Sequence, residues 1–324
     1  MPLQSGQQSF AFITVPSYSL LALASAIDGL RAANVVLERK GYIWGIFSAH
    51  NDAALGQASC GLSLQSRPLI EAADADVLVV CGGDQSHNFE NPALTNILRA
   101  AKKRGAKIGA LSEASFILAA AGLFNGRRST IHWKCQHAYR ERFPDLDIRS
   151  SLFEIDGPVF SCVGGTSALD LILNMVIADH GADVASLVAE NYHHDAIRTQ
   201  DQRQKMSTVL KHAGSSPDLI RALYLMEANI EEPLSIQILC QRLSLSNRHL
   251  DRVFKRYLGA GPQAFYRKIR LERAAQLLSQ TSLTVSSIAV ACGFSSSSHL
   301  SKFFHRDYGV APMAYRTASQ EGAR

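Results

Sequence analysis

What this sequence lacks narrows its function before any motif is read. No apolar run approaches the ~18–20 residues of a membrane-spanning helix, and the opening stretch, Met1 to Phe10, does not have the charged-then-apolar order of a secretion signal. A cytoplasmic protein with no membrane partner is therefore expected. The six cysteines (Cys60, Cys81, Cys135, Cys162, Cys240, Cys292) are scattered, with no C-x-x-C pair and no short spacing to histidine. That excludes a disulfide framework and a structural zinc site, and leaves reduced, mostly buried thiols. Charged residues make up 19% and aromatics 8%, while 47% of the 324 residues are hydrophobic. With a mean hydropathy near zero, wholesale disorder and collagen-like repeats are excluded as well. At ~100–200 residues per domain, the length fits two domains or one large one.

Charge is unevenly placed. From Gly214 onward, 14 Lys and Arg face 8 Asp and Glu, a net of +6, whereas residues 1–213 carry 19 against 20, a net of −1. The positive surplus sits in the last third, as it would if that part met a polyanion.

Residues 1–195 alternate between short apolar β-type runs (Ser9 to Val15, Tyr42 to Ser48, Asp76 to Val80, Lys107 to Leu111) and helical runs (Leu20 to Arg39, Ala93 to Arg104, Ala114 to Ala121, Ser167 to His180). Two further strand candidates are Leu152 to Ile155 and Val159 to Val163. This pattern predicts one α/β domain with a parallel sheet covered on both faces. Residues 196–216, centred on the polar run Arg198 to Lys211, read as a linker. Residues 217–318 read as all-helical: Leu219, Leu223, Met226 and Ile230 form an apolar stripe, and a helix of roughly 25 Å runs from Pro262 to about Leu278.

An internal repeat carries the chemistry. Shifted by fifty positions, residues 235–267 match the chain again at nine positions, including Ser246 on Ser296, His249 on His299, Leu250 on Leu300, Phe254 on Phe304, Arg256 on Arg306 and Gly259 on Gly309. Each unit is a short helix, a tight break, an N-capping serine and a second helix with one apolar face. The other face carries Asn247, Arg248, Asp251, Arg252 and Lys255 in the first copy, and Ser297, Ser298, Ser301, Lys302 and His305 in the second. Short polar and cationic side chains on an exposed helix face suit major-groove reading, with Lys or Arg beside them for phosphates. Two units joined by a stiff helix could read successive turns of a duplex, ~34 Å apart. A plain helical bundle would explain the stripes but not the duplication.

These residues resemble the AraC/XylS-type DNA-binding domain across 217–316, down to the second-unit pattern Ile288, Gly293-Phe294, Ser296, His299-Leu300, Phe303-Phe304, Gly309 to Pro312 and Tyr315-Arg316. The resemblance puts base reading on Arg248, Asp251 and Arg252 in the first unit and on Ser298, His299 and Lys302 in the second. Arg256 and Arg306 fit phosphate contacts better. His249 is read as packed against the bundle.

The N-terminal part resembles the class I glutamine amidotransferase-like (PfpI-type) domain, a flavodoxin-like fold. The matching segments are Val79 to Asp84, Gly109 to Ser115, Leu118-Ala119, Ala121 to Leu123 and Thr130 to Trp133. Enzymes of that family carry a nucleophilic cysteine at a sharp strand-to-helix turn. Here the position is Ser112, and the acidic group the family places nearby is matched by Asp28. Serine needs a well-placed base, and Glu113 next to it would oppose an oxyanion. No catalytic residue is assigned, and no cofactor or metal.

The two domains together resemble bacterial regulators that sense carnitine, glycine betaine or arginine, and Tyr18 to Asn34 is similar to that group's first helix. The resemblance implies a small-molecule effector of amino acid or quaternary amine type, bound by Asp28, Gly83, Ser112, Glu113, His132 and Trp133. Core packing remains an equal reading for Trp133. It also implies a homodimer on double-stranded DNA, with RNA polymerase as a candidate partner. An amidase-like enzyme with a nucleic-acid-binding tail is the alternative.

Overall fold

The computed structural model describes residues 7–49, 55–204 and 216–321. It divides into two compact units, residues 1–204 and 205–324. Most of the segment read as a linker, 205–215, lies outside the described residues.

In the first unit the strands are β1 (Gln8–Thr14), β2 (Tyr42–Ser48), β3 (Leu55–Gln57), β4 (Ser63–Gln65), β5 (Val77–Cys81), β6 (Lys107–Leu111), β7 (Arg128–Ser129), β8 (Asp147–Ile148), β9 (Phe153–Asp156) and β10 (Val159–Cys162). Six of them form the main sheet in the order β2-β1-β5-β6-β10-β9. Every pairing in it is parallel except β9 with β10. The remaining four make two small ribbons, β3 with β4 and β7 with β8.

The helices are α1 (Leu20–Val36), α2 (Pro92–Arg104), α3 (Ser115–Ala120), α4 (Gln136–Arg142), α5 (Ser167–His180) and α6 (Ala182–Glu190). Alternation along each strand splits the apolar side chains between two faces. Phe10, Phe12, Val77, Val79 and Phe160 pack with Leu23, Leu30, Ile172, Val176 and Val188 of α1, α5 and α6. α2 and α3 lie against β6. This is the expected parallel sheet covered by helices on both faces, and it places the strand C-termini Cys81 and Leu111 side by side.

The second unit holds α7 (Pro217–Ala228), α8 (Ile236–Leu243), α9 (Asn247–Leu258), α10 (Pro262–Gln280), α11 (Val285–Ala291), α12 (Ser297–Tyr308) and α13 (Pro312–Glu321). The sequence repeat is also a repeat in structure. Ser246 Oγ accepts from the His249 amide at 3.2 Å and Ser296 Oγ from the His299 amide at 3.1 Å, while Gly259 and Gly309 close the two helices in the left-handed region. Leu219, Leu223, Leu239, Leu250, Phe254 and Phe265 form the core of the first copy. Arg270 of α10 donates to the Cys292 carbonyl at 2.8 Å and to that of Gly293, and its guanidinium lies 4.2 Å from the Phe294 ring centroid. Arg267 lies 4.4 Å from that of Phe303. The second copy is thus bolted to the joining helix.

All six cysteines are free, and only Cys60 is exposed. No described helix is long and apolar enough to cross a membrane.

β6 reaches its neighbours because Gly109 has no side chain: a Cβ there would fall 1.8 Å from a Phe160 ring carbon, and Phe160 is 2% exposed. Gly109→Ala is expected to cost about 2–3 kcal/mol by overpacking and to lower Tm by roughly 5–10 °C in a thermal melt. An unchanged melting point would mean the Phe160 ring can swing aside.

Candidate functional site

The junction after β6 is where the sequence placed its effector residues. Ser112 sits there at φ +60°, a left-handed conformation that a serine pays to adopt. A Cβ on Gly164 would come within 2.9 Å of Ser112 Cβ, so the β10–α5 loop roofs the turn closely. Ser112 and Glu113 are 9% and 8% exposed, and His132 and Trp133 are half-buried beside exposed Asp84 and Lys134. Burial pushes the Glu113 carboxyl up to about 7; the hydrogen bond from the Cys135 thiol and the charge of Lys134 pull it down, and Asp84 pushes it up. Burial, aided by Lys134, pushes His132 down to about 4. At neutral pH the cluster holds a neutral imidazole and a carboxyl poised between its two forms.

Two of the expected roles change. Asp28 does not join the cluster: it lies nine residues into the chain beyond Ser19, the α1 cap, about 13 Å of helical rise. Its carboxylate faces Arg31 at 2.8 Å, half exposed. The Gly83 amide is not free for a ligand, because it donates to Ser86 Oγ at 3.0 Å. Gly83 serves packing instead, since a Cβ there would strike the Ser17 carbonyl oxygen at 1.9 Å. Trp133 already has a cation, Lys134 Nζ at 5.7 Å from its ring centroid, and the His132 ring at 5.3 Å. Glu113 and His132 both lie within electrostatic reach of Asp84 and Lys134, with Ser112 and Trp133 next to them in the chain. Asp84, Lys134, Cys135 and Gly164 complete the surroundings and were missed, although Asp84 stands in the Gly82-Gly83-Asp84 motif itself. No hydrogen bond among the described residues joins Ser112 Oγ to His132 or to a carboxylate.

The stretch 194–204, part of which reads as linker, is laced onto the domain. Fully buried Asp170 accepts from the Arg198 amide and Nε, each at 2.8 Å, and meets His194 Nε2 at 2.8 Å. Gln200 Nε2 donates to Glu154 at 2.6 Å. The strap ends at Gln204, whose buried amide donates to the carbonyls of Ile131 at 2.9 Å and Ser151 at 3.1 Å. Ile131 immediately precedes His132.

In the helical unit the apolar faces of α9 (Leu250, Val253, Phe254) and α12 (Leu300, Phe304) are buried, and Arg248, Arg252, Lys255 and Arg256, with Ser298, His299, Lys302 and Arg306, are exposed. Asp251 is half-buried and meets Lys255 Nζ at 2.8 Å. Arg306 is paired with Asp307 at 2.8 Å. Ser246, Arg248, His249, Asp251, Arg252 and Lys255 line one concave surface. His249 is not simply packed: its Nε2 is 2.8 Å from Asp218 Oδ2 and its Nδ1 3.0 Å from Arg252 Nη2. His299 is held by Ser295 Oγ at 3.0 Å and by the Phe303 ring at 4.9 Å.

Residues 239–318 match a helix-turn-helix domain family, and residues 52–176 match the DJ-1/PfpI family. The HTH-type transcriptional regulator CdhR of Pseudomonas aeruginosa is 34% identical over 306 residues, 94% of this chain and 90% of that one. GlxA of Rhizobium meliloti, also named an HTH-type transcriptional regulator, is 34% identical over 314 residues, 96% of each chain. A crystal structure of an AraC family transcriptional regulator from Pseudomonas putida superposes at a TM-score of 0.53 with 26% identity, covering 57% of this chain and 99% of that one. The chain belongs to the AraC-type transcriptional regulators with an N-terminal DJ-1/PfpI-like domain. As a DNA-binding regulator of this type, it carries an amidotransferase-like fold beside its paired helix-turn-helix units.

In this AraC-type chain, the junction should be visible in stability against pH. The folded state holds the Glu113 proton more tightly than the unfolded chain, so Glu113 erodes stability as pH rises from 4.5 to about 7. His132, harder to protonate when folded, adds stability as pH rises from about 4 to 6.5, so the two oppose. Glu113→Gln is expected to gain on the native protein across the Glu113 window by up to roughly 3 kcal/mol, read by urea unfolding at stepped pH. A constant difference between the two proteins would show Glu113 ionised throughout.

Proposed function

We propose that this regulator works in the cytoplasm as a homodimer, that its N-terminal domain binds a small cationic or zwitterionic nitrogen compound without turning it over, and that α9 and α12 read base pairs. The observation that carries the DNA half is the same in both copies: a buried apolar face opposite an exposed face of short polar and cationic side chains. Arg248, Asp251, Arg252, Ser298, His299 and Lys302 take base edges, and Arg256 and Arg306 take phosphates. RNA polymerase is a candidate partner at the promoter.

The effector reading is supported by two carboxyl groups, Glu113 and Asp84, near one another and near Lys134, whose Nζ lies 5.7 Å from the Trp133 ring centroid. A cationic amine would compete with Lys134 for that ring. A non-catalytic role is supported by a serine at the turn with no base hydrogen-bonded to it. Coupling of the site to the strap has a physical route, because Gln204 ties the strap to the backbone that carries His132. Binding that displaces residues 131–133 changes the hold on the strap.

Fluorescence anisotropy on a site chosen by selection from random duplexes tests the first half. Arg252→Ala should lose about 1–3 kcal/mol and relax preference at one base pair, whereas Arg256→Ala should weaken all duplexes alike and lower the salt slope by about 1. A uniform loss in Arg252→Ala would remove it from base reading.

A thermal-shift screen of amino acids, betaines and polyamines tests the second half. A stabilising compound should lose its shift in Trp133→Ala while that variant still binds DNA. Turnover of any such compound that disappears in Ser112→Ala would make the domain an enzyme instead.

A further inference from the structure

We propose that Asp218 and His249 form a positioning relay that holds Arg252 ready for base reading, so that the first turn of α7 governs the reading helix α9. The proposal rests on Arg252 meeting a base edge.

The relay follows from which atoms can donate. Arg252 Nη2 stands 3.0 Å from His249 Nδ1, and a guanidinium has donors only, so Nδ1 must present its lone pair. The neutral ring then carries its proton on Nε2, which lies 2.8 Å from Asp218 Oδ2, an oxygen that can only accept when ionised. All the donors point one way, from Arg252 to His249 to Asp218, and the carboxylate fixes the tautomer that the arginine needs. The base of the chain is sheltered, with side-chain exposures of 29% at Asp218 and 33% at His249, while Arg252 at its tip is exposed. Arg221 Nη1 lies 4.0 Å from the other Asp218 oxygen.

A long side chain free in solvent must be ordered on binding, at a cost that prior anchoring removes. Arginine also gains specificity only when the plane of its fork is set. The second copy offers a built-in contrast. His299, at the matching position, is held by Ser295 and aromatic rings instead of a carboxylate, and the reader beside it is Lys302, a point charge with no plane to orient. The relay therefore gives the first unit a directional reader that the second does not have.

The test uses the full-length protein and the duplex selected by the native chain, with each base pair varied singly. At the pair where Arg252→Ala loses preference, Asp218→Ala should lose about tenfold in discrimination. Binding to random duplex and the salt slope should stay as in the native protein, and Asp218→Ala should change nothing further on top of Arg252→Ala. Asp218→Asn keeps an acceptor for Nε2–H and should retain most of the preference. Long-range nitrogen–proton correlation of the imidazole should show the Nε2–H tautomer in the native chain. If Arg252→Ala relaxes a base pair and Asp218→Ala leaves it intact, the relay is wrong and the base-reading role survives. If Arg252→Ala relaxes none, both fall. An Nδ1–H tautomer in the native protein overturns the relay even if the Asp218 variants fail to fold.

Discussion

Two short helices on one chain can follow a duplex through successive grooves only if their spacing and angle stay constant, and here that constraint falls on the arginines of α10. Arg270 grips the turn before α12 through two carbonyls and lies over Phe294, while Arg267 covers Phe303. Guanidinium groups suit this duty because they satisfy exposed carbonyls of a tight turn and stack on rings at once. The first copy is attached to the same helix by apolar contact, with Phe254 and Phe265 at 6.0 Å in an edge-to-face pair. One end of the joint is polar and directional, the other apolar and close-packed.

The N-terminal domain carries a strained turn after β6, with a serine at its tip. Ser112 adopts the left-handed conformation, which costs of order 1–3 kcal/mol. Glu113 is half-protonated near neutral pH because it is buried, and Cys135, next to it, is a buried thiol pushed well above its usual range by the same desolvation. Neither is a nucleophile in waiting, since a thiol kept protonated is inert.

The paired units, the strand–helix alternation of the α/β domain and the exposed polar faces of α9 and α12 were legible in the sequence because each depends on periodic apolar residues or on a repeat at fixed spacing. The strap was not legible. Arg198, Gln200 and Gln204 have the composition of a solvated linker, and only their distant partners, Asp170, Glu154 and Ile131, reveal burial. Asp28 misled because similarity along a helix says which residues match but not which way they face. Gly83 misled because its amide is taken by a serine three residues on. His249 read as packed, and its two hydrogen bonds come from a helix thirty residues upstream and from its own next turn.

The buried Gln204 amide also sets where the two modules can be separated. A chimera joined at residue 195 would discard Arg198, Gln200 and Gln204, leaving Asp170 and Glu154 as buried carboxylates stripped of those donors. Asp170 would keep His194, and Glu154 would keep Ser151 and Arg128, but buried charge that loses part of its compensation is costly, so such a hybrid would carry a weakened N-terminal domain whatever DNA-binding part it received. A graft placed past residue 204 keeps the strap with its parent, and the exchangeable cassette is the helical unit alone.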